Sequence, residues 1–102
     1  MANLHRGEIE ADIGGARRKL VLTLGALAEL EQTFGADDLV ALTERFAADR
    51  MKARDLIRII AAGLRGAGET VSDDEVAGMR TQGGAHGYVR IAAELIEATF
   101  GP

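Results

Sequence analysis

Residues Gly63 to Thr70, reading GLRGAGET, have the two-glycine spacing of a phosphate-binding loop, and nucleotide chemistry would be sought there first. Such a loop needs a lysine directly after its last glycine to reach the phosphates, and it must follow a strand and open a helix. That position holds Glu69, whose charge repels a phosphate, and the glycines close a helical pattern instead of opening one. The segment reads as a helix stop.

Acid–base and nucleophilic candidates are few. Ser72 is the single serine and His5 and His86 the only imidazoles. A Ser–His–Asp relay needs all three groups in contact. Ser72 heads Ser72-Asp73-Asp74-Glu75, where its hydroxyl and Glu75 each satisfy the other's free backbone donor at a helix start. His5 lies near the terminus, and His86 sits in the glycine-rich stretch 83–87, which reads as a flexible linker, with a mobile lid as the functional alternative. Zinc is poorly served, because His86 has no His or Cys four residues on and the chain contains no cysteine. Asp73 and Asp74 stand where a helix dipole favours acids in any case. No catalytic, cofactor-binding or metal-ligating residue emerges, and an enzyme is the least supported class.

Binding chemistry is better represented. At about 100° per residue, Arg54, Arg58 and Arg65 share one side of a helix within an arc of about 40°, and Arg50 extends the line if that helix starts early. The stripe is either an ordinary solvated face, a docking surface for an acidic protein, or a weak nucleic-acid contact. The last reading is opposed by the net charge of −4 and by the lack of interleaved aromatic residues for base stacking. The C-terminal helix carries two apolar stripes, Tyr88, Ile91, Ala92, Leu95 and Thr99 on one side and Val89, Ala93, Ile96 and Phe100 on another. That helix either sits centrally or offers Ile96 and Phe100 to a partner, which could be a second copy of the chain.

These groups need a scaffold. At 102 residues the chain supports one domain, 1–102, with little surface to spare for a second core. Glu8 to Ile13 alternate acid and apolar, placing Ile9, Ala11 and Ile13 on one face of a strand. Gly14-Gly15 supplies a tight turn, and a second strand at about 16–24 turns Leu20, Leu22 and Leu24 inward and Arg17 and Lys19 outward. Thr23 caps a first helix whose stripe is Leu24, Leu27, Leu30 and Phe34 and whose stop is Gly35. Gly25, costly in a helix, suggests a close crossing by the hairpin. Further helices are expected at about 38–48, burying Leu39, Leu42 and Phe46, and at about 52–65, burying Leu56, Ile59, Ile60, Gly63 and Leu64. A short one follows at Ser72 and the apolar one after Gly84. The expected fold class is α+β, mostly α: an N-terminal hairpin at about 6–24 packed on four to five short helices at about 24–100.

No apolar run approaches the roughly 18–20 residues that cross a bilayer, and Arg6, Glu8 and Glu10 occupy positions where a signal peptide is apolar. The absence of cysteine is compatible with a reducing compartment. The expectation is a soluble, cytoplasmic protein with no membrane partner.

The stretch LTLGALAELEQTFGADDLVALTERF, followed by ARDLIRIIAAGLRGAGETVSDDEV and the closing LIEATFG, resembles the small tail proteins of bacterial gene transfer agents and related siphophage-like prophages. The likeness runs from about residue 6 to 101. This family is labelled both as tail tube protein and as tail assembly chaperone, and it implies no catalytic residues and no cofactor. Tube subunits of this kind stack hexameric rings from β-sandwich-like folds, whereas one hairpin and several helices fit the chaperone better. By resemblance, such a chaperone coats the tape measure protein in the cytoplasm before the tube polymerises. The main expectation is therefore a tail assembly chaperone binding the tape measure or another tail protein. The alternatives are a structural, tube-associated component of the particle and a small regulatory or nucleic-acid-binding protein.

Overall fold

A computed structural model of the chain describes residues 6–47 and 51–101; His5 and Arg50 lie outside the described residues. The fold is α+β and mostly α, with a two-stranded antiparallel hairpin followed by five helices. The elements are β1 (Glu8–Ile13), β2 (Ala16–Val21), α1 (Leu24–Phe34), α2 (Leu39–Ala47), α3 (Ala53–Gly66), α4 (Asp73–Ala77) and α5 (Gly84–Phe100).

Alternation fixes the hairpin register. Ile9 pairs with Leu20 and Ile13 with Ala16, so Ile9, Ala11, Ile13 and Leu20 all turn inward and are buried. Gly14 and Gly15 both take positive φ, 64° and 81°, which the two-residue turn requires and side chains resist. On the outer face Arg17 reaches Glu10 at 3.2 Å and Asp12 at 3.6 Å, and Lys19 reaches Glu8 at 3.7 Å. Opposite charges thus reinforce a register that the apolar face already sets.

Thr23 ends the strand period and starts the helical one, its hydroxyl oxygen accepting from the Ala26 amide at 3.1 Å. The switch has a cost in side-chain placement. β2 stops at Val21, and Leu24, expected to point inward, is 81% exposed at the first position of α1. It lies roughly 100° from the centre of the arc formed by Ala26, Leu27, Leu30 and Phe34. Gly25 is likewise not a crossing point: a Cβ there would meet only the Thr23 hydroxyl, at 3.8 Å. Leu39, expected in the core, opens α2 half-exposed, whereas Leu42 and Phe46 are buried. Leu24 and Leu39 are both the first residues of their helices.

The centre of the fold is α3, not α5. Ile59, Ile60, Ala61, Ala62 and Leu64 have no exposed surface, and the helix packs against β2, α1, α4 and α5. α5 lies on the surface: Ile91, Ala92 and Leu95 face α3 and the hairpin, while Val89 and Ala93 are exposed and Ile96 and Phe100 half-buried. Burying the Leu and Ile side chains of α3 contributes about 1.5–3 kcal/mol each. Two small residues permit it. A Cβ on Gly63 would stand 2.7 Å from a Leu95 methyl, and one on Gly66 would stand 2.1 Å from the Val21 carbonyl oxygen. The phosphate-loop-like segment is therefore a packing surface and a helix end.

Residues 84–87, expected in a linker, instead form the first turn of α5, with Gly87 against the Gln82 carbonyl. The loop ahead of that turn is tied to the hairpin: the Gly14 amide donates to the Arg80 carbonyl at 2.7 Å, and the Thr81 hydroxyl to the Asp12 carbonyl at 2.6 Å.

Gly66→Ala is expected to destabilise the protein by about 1–3 kcal/mol, because the obstacle is backbone and cannot rotate away. Gly78→Ala, where a Cβ would meet only the Glu75 carbonyl at 3.7 Å, is the control and should stay within about 0.5 kcal/mol of the parent in urea denaturation.

Candidate functional site

An open cleft of about 390 Å³ runs between α3, α4 and the start of α5. Its walls are Ala53, Leu56, Ile57 and Ile60 of α3, Val76 and Ala77 of α4, Met79, Arg80 and Thr81 of the following loop, and Gly84, Ala85 and Tyr88 of α5. The three helices are placed there by local rules already described. α4 begins where Ser72 accepts from the Glu75 amide at 3.1 Å while Glu75 accepts from the Ser72 amide at 2.9 Å. The loop carrying Arg80 and Thr81 is held by its bonds to the hairpin turn.

One polar group in this wall lacks a partner. The phenolic oxygen of Tyr88 is buried without a hydrogen bond. Desolvation raises its pKa above the ordinary 10.0.

The arginine stripe divides between two roles. Arg65 donates to Glu29, to the Val71 carbonyl at 3.0 Å and to Asp73 at 3.2 Å, joining α1, α3 and the start of α4. Burial alone would lower its pKa, but the hydrogen bonds and charges of Glu29 and Asp73 outweigh that and the net direction is upward. Arg54 and Arg58, one turn apart on α3, have no ion-pair partner among the described residues. They form a ridge beside the cleft, with Ile57 between them. One flank of the ridge is a depression that includes Asp73, Asp74 and Ala77. The other is a larger depression lined by Thr33, Phe34, Arg45, Lys52 and Asp55. Asp55, nearly buried, accepts from the Lys52 amide at 3.0 Å and lies 3.5 Å from Arg45, which also stacks 5.2 Å from the centre of the Phe34 ring.

Thus Arg54 and Arg58 line two surface depressions, while Arg65 is engaged within the molecule and Ile96 and Phe100 lie farther along α5, outside the cleft lining. The cleft itself went unforeseen. Its only sequence signal was the half-apolar pairing of Ile57 with Ala53 and Ala77, which requires knowing that α4 folds back on α3. Among the described residues, no group of three or more His, Cys, Asp or Glu could hold a metal ion. Nor is any described helix long and apolar enough to cross a membrane. Ser72 is consumed by its cap and His86 is exposed, so the arrangement suits the binding of apolar and anionic groups.

Arg65→Gln should cost about 1 kcal/mol of stability, discounted for partial solvent screening, whereas Arg54→Gln and Arg58→Gln should each change it by less than about 0.5 kcal/mol. Urea denaturation of the three variants separates the roles. Tyr88→Phe removes the unpartnered hydroxyl and should leave stability equal or raise it by up to about 1 kcal/mol. Because the native state holds the phenolic proton more tightly than the unfolded chain does, the parent's Tyr88 contribution is intact below pH 10.0 and is lost as pH rises through the raised value. Unfolding at about pH 8 and about pH 11 should show that alkaline loss reduced in the variant.

No curated protein and no solved structure matches the chain. Residues 6–102 match the family model described as phage tail tube protein, GTA-gp10. With that match extending over all but the first five residues, the chain belongs to the phage tail tube protein (GTA-gp10) family.

Proposed function

We propose that this chain is a non-catalytic structural component of a phage-like tail, associated with the tube and carried in the particle, that works by binding other tail proteins. The observation that supports this reading most is the family match over residues 6–102. The apolar cleft beside the Arg54–Arg58 ridge is the surface best suited to such contacts, and the Ile96 and Phe100 side of α5 leaves room for a second copy. Nucleic acid is a poor partner for a chain of net charge −4.

A second reading is a tail assembly chaperone that holds the tape measure protein in the cytoplasm before polymerisation. One observation favours it: the described residues are 61% helical and 13% strand, and among them a single two-stranded hairpin offers little sheet from which to build a ring wall.

Quantitative mass spectrometry of purified particles, compared with complexes isolated from cells during assembly, distinguishes the two. A fixed stoichiometric amount in particles is expected for the structural component. Absence from particles, with co-purification with the tape measure protein before assembly, would replace it with the chaperone. Absence from both would overturn the tail reading altogether.

A further inference from the structure

We infer that the cleft between α3, α4 and α5 receives one face of an acidic amphipathic helix from a partner protein, its apolar side chains in the cleft and its carboxylates over Arg54 and Arg58. This deepens the proposed function and rests on the reading that the chain acts by binding other tail proteins.

Three independent observations carry it. First, the cleft is walled by apolar side chains and its volume, about 390 Å³, is that of a pocket able to bury a few such groups. An extended peptide would lay backbone N–H and C=O groups against walls that are mostly apolar, whereas a helix satisfies its own backbone. Second, cations without a carboxylate partner stand at the border of the cleft. Arg17, Arg18, Lys19, Arg45 and Arg65 each have a carboxylate partner within the chain. Arg80 in the cleft wall, and Arg54 and Arg58 beside the wall residue Ile57, have none among the described residues, as is also true of Lys52 next to them and of Arg90 on another surface. Third, Tyr88 in the cleft wall carries a buried hydroxyl without a hydrogen-bond partner, and a change of side-chain rotamer that offers it to a bound carboxylate would remove an unfavourable state.

The same charges orient the partner. Asp74 lies on the α4 flank of the ridge, beside Asp73, and would repel carboxylates there. Lys52 and Arg45 lie on the opposite flank. The acidic edge of the bound helix therefore runs on the α2 side, and carboxylates three or four residues apart match the one-turn separation of Arg54 and Arg58.

Three synthetic helical peptides with an identical leucine row, flanked by Glu, Gln or Lys, test this by fluorescence anisotropy with the full chain. The Glu peptide should bind about tenfold more tightly than the Gln peptide, with the Lys peptide weakest. The double variant Arg54→Glu/Arg58→Glu should invert that order, and the gain for the Lys peptide is itself evidence that the variant is folded. Ala85→Trp, which fills the cleft from an exposed position, should weaken all three alike. Failure of the Glu peptide to bind, an order unmoved by the charge reversal, or indifference to Ala85→Trp would each overturn the assignment. The broader tail reading is judged separately: it survives if the peptides fail but the chain is found in particles or in assembly complexes, and it falls if the chain is in neither even though the peptides bind.

Discussion

Close contact between the C-terminal half of α3 and strand β2 is the constraint on which the other packing relations depend. At Gly66 the helix lies so near the Val21 carbonyl that even a methyl group has no room, and one turn earlier Gly63 admits Leu20 and Leu95 together. Only with the helix seated that deeply can the hairpin cover one side of α3 while α5 covers another. α3 must be covered, because its middle is apolar around nearly its whole circumference. Moving it outward would separate β2 from Leu95, shift α5, and open the cleft that α5 closes with Tyr88 and Ala85.

Much of this architecture was legible from local rules. The period-two alternation of Glu8 to Ile13, the Gly14-Gly15 turn, the Thr23 cap, the Gly35 stop and the Ser72–Glu75 box depend on residues no more than a few positions apart, and the structure contains all of them. Leu24, Leu39 and Gly25 were misjudged for a different reason. A helical stripe states which residues share a side but not how far a neighbouring element covers it, and Leu24 and Leu39, the first residues of α1 and α2, stay exposed. α3 and α5 were confused because both are apolar on more than one face. What distinguishes them is glycine and alanine at contact positions, Ala61, Ala62, Gly63 and Gly66, which allow close approach from several directions.

The surface divided along similar lines. Helical geometry placed Arg54, Arg58 and Arg65 on one side but could not reveal which acids the rest of the chain would bring. Glu29 and Asp73 arrive beside Arg65 from α1 and α4, distant in sequence, so this guanidinium became a brace between elements. About two and three turns earlier, Arg58 and Arg54 face depressions where the nearest acids are already engaged by Arg45 or Arg65, apart from Asp74. Unequal supply of counter-charges along one helix thus separates residues that sequence periodicity treats as equivalent.

The wall of the cleft also has an optical consequence. Tyr88 is the only tyrosine and the chain has no tryptophan, so its ring supplies the emission excited at wavelengths beyond the weak absorption of the three phenylalanines. That single fluorophore stands at the mouth of α5, where a bound segment would alter its shielding and its hydrogen bonding. The molecule therefore carries an unlabelled spectroscopic probe of cleft occupancy, with no second tyrosine and no tryptophan to dilute the signal.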